Sequence, residues 1–197
     1  MTNESAHPAS PLRVLGIAGS LRVGSYNRAL LRAAQELAPA GMTIEIYELH
    51  TIPPYNADVE AQGFPEPVVA FKKAIAEADA LLIATPEYNH SIPGVLKNAI
   101  DWASRPPATS PLNGKPGAIM GASTGAIGTA RAQQHLRLVC SYLNMLVMNM
   151  PEVLVVRAQD KVDASGRLTD EPTRQFLAKF LQAFAQWVVR MRPQSKG

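Results

Sequence analysis

The most informative stretch of the sequence is a short polar loop, residues 19–28, which reads GSLRVGSYNR. An apolar segment that predicts a buried strand precedes it, and a segment with helical spacing of apolar residues follows it. Ser20, Ser25 and Asn27 supply side-chain hydrogen-bond donors, and Arg22 can form charge-assisted bonds to phosphate oxygens. A helix start adds backbone N–H groups that have no partner within the helix. Together these groups predict an anion site.

Two well-known phosphate-binding motifs are excluded in this loop. The Gly-x-x-x-x-Gly-Lys-Ser/Thr pattern is missing, and Ala18 and Leu21 stand where a Gly-x-Gly-x-x-Gly motif that begins at Gly16 needs glycine. Those glycine-rich motifs let the backbone approach a pyrophosphate, whereas a loop rich in hydroxyls suits a terminal monophosphate. The alternative is an ordinary strand-to-helix turn in which Ser25 only caps the helix.

Two further polar loops have the same position between a strand pattern and a helix pattern. Residues 85–94, TPEYNHSIPG, follow an apolar run over 80–84, which is typical of a central parallel strand. Residues 121–128, GASTGAIG, follow a third apolar segment. These loops add candidate binding residues to those of the first loop.

The order of the elements predicts how the loops are brought together. Strand patterns cover residues 13–18, 43–48, 80–84 and 118–120, with a last strand within 145–156 that Pro151 interrupts. Helix patterns cover residues 29–37, 67–77, 93–102, 129–143 and 171–191, and residues 51–67 form a long irregular connection. This alternation predicts an α/β protein with a five-stranded parallel sheet, helices on both faces and the flavodoxin-like order 2-1-3-4-5. The three loops then open on one edge of the sheet.

Composition narrows the class of protein further. We expect one domain over residues 12–192 and a disordered lead over residues 1–11. Apolar residues make up 47% of the chain and charged residues 18%, and neither a membrane span nor a secretion signal is predicted. The net charge of +3 comes without a run of Lys or Arg, so nucleic-acid binding is not expected. Cys140 is the only cysteine, which excludes an internal disulfide and a thiolate metal cluster; we expect a cytoplasmic protein.

The first two loops carry a resemblance to a known family. The pattern GSLRxGSxN over residues 19–27, together with PEYNxSxPGxLKNAIDW over residues 86–102, resembles the NADPH-dependent FMN reductase family. Within that family the chain is most similar to the bacterial quinone, chromate and azo-dye reductases. The resemblance extends from the first strand to the last helix. It implies a flavodoxin-like fold, non-covalent FMN, reduction by NADPH or NADH, and a homodimer or homotetramer.

The resemblance also implies which residues bind the cofactor. The first loop would hold the FMN phosphate and ribityl chain, the second would lie along the isoalloxazine ring, and the third would close the remaining side. The residues so assigned are Ser20, Arg22, Ser25, Tyr26, Asn27, Pro86, Glu87, Tyr88, Asn89, Ser123, Thr124 and Gly125. No metal ligand and no catalytic side chain is expected, because the flavin carries the chemistry.

Several residues near these loops have two interpretations. Glu87 is a candidate general base, but ordering the loop is the role we favour for it. Arg131 and His135 are spaced i,i+4 on one helix face, which fits either a contact between subunits or a solvated surface. We expect Lys97, Asn98 and Asp101 to cap, pair or pack rather than to react.

The function predicted from these observations is hydride transfer from NAD(P)H through FMN to quinones, azo dyes, free flavin or metal oxyanions, by a ping-pong mechanism. The alternative is a flavodoxin-type electron carrier without NAD(P)H turnover of its own. Carriers of that kind are strongly acidic, whereas this chain has a net charge of +3.

Overall fold

The computed structural model describes residues 11–192, in which strands and helices alternate. The strands are β1 Leu12–Ala18, β2 Met42–Tyr47, β3 Ala80–Ala84, β4 Pro116–Ala122, β5 Leu146–Val147 and β6 Val153–Val155. The helices are α1 Tyr26–Glu36, α2 Ala57–Gln62, α3 Glu66–Glu77, α4 Gly94–Ala103, α5 Ala130–Tyr142 and α6 Glu171–Met191. The predicted lead over residues 1–11 lies outside this range except for Pro11.

The strands form a parallel sheet in the order β2-β1-β3-β4-β5, which confirms the predicted topology. The number of strands differs from the prediction, because a sixth strand, β6, also pairs with β4. Pro151 separates β5 from β6, and the two short strands pair with successive parts of β4. Proline lacks the N–H that a strand ladder needs, so the predicted last strand is divided in two.

Helices cover both faces of the sheet and bury two apolar clusters. On one face, α1 and α6 pack through side chains such as Leu31 and Phe184. On the other face, α3, α4 and α5 pack through Phe71, Trp102 and Leu136. The sheet is therefore apolar on both sides, as the continuous apolar runs of β3 and β4 predict. In β3 and β4, polar side chains are left to the loops that follow the strands.

The predicted irregular connection over residues 51–67 is partly wrong, because it contains α2. Asn56 caps this helix by accepting a hydrogen bond from the Asp58 N–H at 2.8 Å. The segment before α2 is tied to α4, since the Asn98 amide and the Trp102 indole both donate to the Pro53 carbonyl, at 2.8 and 2.9 Å. Asn98 therefore holds this segment against α4, as the sequence interpretation of a packing role predicts.

No helix within residues 11–192 has the length and apolar character that crossing a membrane requires.

Candidate functional site

A cleft of about 220 Å³ lies where the loops after β1, β3 and β4 meet. All three loops follow the carboxyl ends of parallel strands, where ligands of such sheets bind. The cleft is lined by Ser20, Arg22, Ser25, Tyr26, Asn27, Pro86, Glu87, Tyr88, Ala122, Ser123 and Thr124. Of the residues predicted to bind the cofactor, only Asn89 and Gly125 lie outside this lining. Ala122 is an addition: it lies in the third loop but was not among the residues assigned to the cofactor.

The first loop presents the start of α1 to the cleft. Ser25 is the N-cap of α1, and its hydroxyl oxygen accepts a hydrogen bond from the Arg28 N–H at 3.4 Å. The hydroxyl proton is not used in that bond, so Ser25 can cap the helix and also donate to an anion. The first turn of α1 carries no acidic side chain that would oppose an anion. The two interpretations of Ser25 are therefore compatible.

Arg22 supplies positive charge at the rim of the cleft. Its guanidinium lies 5.4 Å from the centre of the Tyr26 ring, which holds the side chain beside the start of α1. Ser20 lies below it, with its hydroxyl 3.4 Å from the Arg22 N–H. Guanidinium, two hydroxyls and a helix N-terminus form the donor set that a phosphate monoester requires. The phosphate of FMN fits this end of the cleft.

Asn27 is buried, with 3% of its surface exposed, and its side chain is bonded within the chain. Its amide nitrogen donates to the Ala122 carbonyl at 2.9 Å, and its amide oxygen accepts from the Ala122 N–H at 2.9 Å. The carboxamide thus connects the first loop to the end of β4.

The second loop forms a tight hairpin beside the cleft. Tyr88 and Ser91 exchange backbone hydrogen bonds at 3.0 Å, and the two residues between them, Asn89 and His90, have φ values of 51° and 62°. Positive φ at both central positions is the geometry of a type I′ turn, which matches the twist of a hairpin. The side chain of Tyr88 is half-exposed at the mouth of the cleft.

Glu87 anchors this hairpin to α5. Its Oε2 accepts hydrogen bonds from the backbone N–H groups of Arg131 and Ala132, at 3.0 and 3.1 Å, in the first turn of the helix. The N-cap residue Thr129 makes no side-chain capping bond, so Glu87 takes over that function from another part of the chain. This contact gives Glu87 the loop-ordering role that the sequence predicts for it.

A second contact fastens the other end of the hairpin. His135 Nδ1 lies 3.0 Å from Ser91 Oγ, and the Arg131 guanidinium lies 3.5 Å from Glu87 Oε1. Both helix residues therefore contact the second loop of their own chain, an arrangement that neither sequence interpretation of their i,i+4 spacing included.

The third loop is organised around Ser123. Its hydroxyl donates to the Gly128 carbonyl at 2.6 Å and accepts from the Gly125 N–H at 3.2 Å. Gly121, at the end of β4, allows this loop to approach its neighbours, because a Cβ atom there would lie 1.9 Å from Thr129 Oγ1 and 2.5 Å from the Thr85 carbonyl oxygen. The loop is therefore compact, with Thr124 directed to the cleft lining.

The remaining candidate residues, Lys97, Asp101 and Cys140, lie outside the cleft lining. Lys97 and Asp101 form an i,i+4 ion pair on α4, with their nearest nitrogen and oxygen 2.7 Å apart. Burial raises the pKa of the Cys140 thiol to about 12, so this cysteine is not a nucleophile. Within residues 11–192, His, Cys, Asp and Glu side chains form no group of three or more that could hold a metal ion.

Comparisons with known proteins show the family to which the chain is similar. Residues 12–160 match the family model described as NADPH-dependent FMN reductase. An NAD(P)H-dependent FMN reductase of Pseudomonas aeruginosa is 55% identical over 181 residues, which are 92% of this chain and 97% of the relative. A 2-hydroxy-1,4-benzoquinone reductase of Burkholderia sp is 49% identical over 90% of this chain and 96% of its own.

A solved structure extends the agreement to the fold. The flavoenzyme NAD(P)H:(acceptor) oxidoreductase FerB of Paracoccus denitrificans superposes with a TM-score of 0.84 at 39% identity, covering 91% of this chain and 98% of that chain. The flavodoxin-like fold, the enzyme class and the cofactors FMN and NAD(P)H, all predicted from the sequence, are thereby confirmed. The chain belongs to the NADPH-dependent FMN reductase family.

Proposed function

We propose that the protein transfers hydride from NADPH or NADH, through FMN held in the cleft, to quinones, and that free flavin, azo dyes and metal oxyanions are alternative acceptors. The observation that carries this proposal is the convergence of three polar loops on one cleft, with the phosphate donor set at one end. For a quinone the balance is NAD(P)H plus quinone plus one proton, giving NAD(P)⁺ and hydroquinone. The quinone reductase named among the relatives supports this choice of acceptor.

The residues of the chain have separate tasks in this proposal. Ser20, Arg22 and Ser25 hold the phosphate, and the backbone of residues 86–89 lies along the ring. When bound, FMN would supply the hydride-accepting and two-electron chemistry, which no side chain of the cleft provides. Backbone N–H groups of the third loop over residues 124–128, other than the Gly125 N–H that donates to Ser123 Oγ, would stabilise negative charge that develops at the ring. Tyr88, half-exposed at the mouth, borders the position where both substrates are received in turn.

We expect ping-pong kinetics, because nicotinamide and acceptor take turns at a single position. The experiment is a steady-state assay of FMN-loaded protein in which NADPH and 1,4-benzoquinone are both varied, and parallel double-reciprocal lines are expected. Intersecting lines would contradict a single shared position. Repeating the assay with NADH, free FMN, an azo dye and chromate ranks the substrates. Turnover without any partner protein excludes the alternative of a flavodoxin-type carrier.

We also propose that the protein is a homodimer or homotetramer and that copies meet at an apolar groove between α4 and α5. The groove has a volume of about 700 Å³, and Leu138 and Tyr142 project one turn apart from its wall, 73% and 90% exposed. Leu138 and Tyr142 form a ridge beside the groove, so the same face carries both a ridge and a groove. Such a face is self-complementary under two-fold symmetry. The occupant we assign to the groove is the ridge of a second copy.

Light scattering tests this assembly. Tyr142→Lys should halve the molar mass, which gives a 21.2 kDa monomer if the wild type is a dimer, because one two-fold interface joins only two copies. The control is Val189→Lys, since Val189 is an exposed apolar residue on α6, away from the groove, and its replacement should leave the mass unchanged. A wild-type monomer with full activity would refute the proposal.

We place the enzyme in the cytoplasm, where NAD(P)H is available, and cell fractionation tests that location.

A further inference from the structure

At the edge of the sheet where the cleft opens, the end of β4 has no neighbouring strand on the β3 side. The pairing of β3 with β4 ends at Ala84 and Met120, and the last bond on this side joins the Thr85 N–H to the Met120 carbonyl at 2.9 Å. Pro86 follows and has no N–H to donate. Ala122 is the next residue of β4 whose backbone groups face this side, because the Ser123 N–H already donates to Val155 on the β6 side. Its N–H and C=O are buried and need partners.

The Asn27 carboxamide occupies the place of the missing strand. It donates to the Ala122 carbonyl and accepts from the Ala122 N–H, both at 2.9 Å, so it imitates the two bonds of a ladder partner. Its donor and acceptor engage the same residue, and this two-point contact fixes the plane of the carboxamide. Asn27 stands in the first turn of α1, two residues after Ser25, whereas Ala122 directly precedes Ser123. The contact thus joins the first loop to the third.

We infer that Asn27 is a positioning residue: its carboxamide sets the distance between the phosphate end of the flavin site and the loop that closes the ring end. This inference rests on the proposed function, since it assumes that FMN spans the cleft. It also changes the role predicted for Asn27, which was contact with the phosphate and ribityl chain of FMN. Loss of a residue that sets this spacing should weaken the binding of every flavin whose ring occupies the cleft, whether or not the flavin carries a phosphate.

Riboflavin lacks the phosphate, so comparing it with FMN separates a positioning role of Asn27 from direct contact with the phosphate. The experiment measures dissociation constants of FMN and riboflavin by fluorescence quenching for apoprotein of the wild type, Asn27→Ala and Ser25→Ala. Asn27→Ala should weaken both flavins by about tenfold or more and leave the ratio of the two constants within about twofold of the wild type. Ser25→Ala, the matched variant from the same loop, should weaken FMN by about tenfold with little change for riboflavin.

The visible absorption spectrum of bound FMN supplies a second readout. Asn27→Ala should shift it, because the third loop beside the ring moves, whereas Ser25→Ala should leave it as in the wild type. Loss of FMN affinity alone in Asn27→Ala, with riboflavin unaffected, would overturn the inference and return Asn27 to the phosphate. Unchanged affinity for both flavins would overturn it as well.

Two further outcomes are distinguishable from these. If Asn27→Ala does not fold, as judged by circular dichroism, Asn27→Ser is used, because its hydroxyl retains polarity in the buried gap; the same criteria apply. If wild-type apoprotein binds neither flavin, the proposed function fails and the inference fails with it, and this result is seen before any variant is compared.

Discussion

Replacement of Glu87 tests whether a residue of the second loop caps α5. Glu87→Ala removes the acceptor of two backbone N–H groups, those of Arg131 and Ala132. Loss of an N-cap costs about 1 kcal/mol, and a carboxylate in a partly buried position at a helix N-terminus contributes about 1–2 kcal/mol more through the helix dipole. The Glu87 side chain is only 10% exposed, so its bonds are better shielded from solvent than those of a surface cap.

The total loss expected for Glu87→Ala is about 2–3 kcal/mol of the free energy of unfolding. The ion pair with Arg131 adds little to it, since the guanidinium lies 3.5 Å away and is half-exposed. Glu87→Gln keeps one oxygen that accepts from the helix and loses the charge, so about 1–2 kcal/mol is expected. In a chain of this length, 2–3 kcal/mol lowers the melting temperature by about 4–12 °C.

Urea unfolding of the apoprotein, followed by circular dichroism, measures these values. The control is Glu77→Ala, because Glu77 forms an exposed i,i+4 pair with Lys73 and its loss should cost less than about 0.5 kcal/mol. The capping role would be refuted if Glu87→Ala were as stable as Glu77→Ala, or if Glu87→Gln were as damaging as Glu87→Ala.

Two further outcomes are expected. Ser25→Glu should abolish FMN binding in a titration while circular dichroism stays unchanged, because a carboxylate would face the phosphate and yet suits a helix N-terminus; wild-type affinity would show that the phosphate lies elsewhere. Cys140 should resist iodoacetamide in the native protein at pH 8 and react in urea, since it is 1% exposed and burial raises its pKa to about 12; rapid alkylation of the native protein would contradict this.

The order of strands and the chemistry of the site could be predicted from the sequence. Apolar runs that alternate with helical spacing specify a parallel sheet, and the carboxyl ends of parallel strands lie at one edge. Ser20, Arg22 and Ser25 are adjacent along the chain, so their joint placement at a helix start needed no tertiary information. Local composition and local hydrogen bonding are enough to predict a site of this kind.

Tertiary structure decided which polar groups are used to build the site. Asn27 lies among the polar residues of the first loop, but its partner is Ala122, 95 residues away, because β3 ends before Pro86 and leaves the end of β4 without a strand on that side. Glu87 caps a helix that begins 43 residues later in the chain, since Thr129 provides no capping bond of its own. Such contacts depend on where a strand ends and which backbone groups are then buried without partners. A hydrogen-bonding requirement of that kind arises only when the chain is packed.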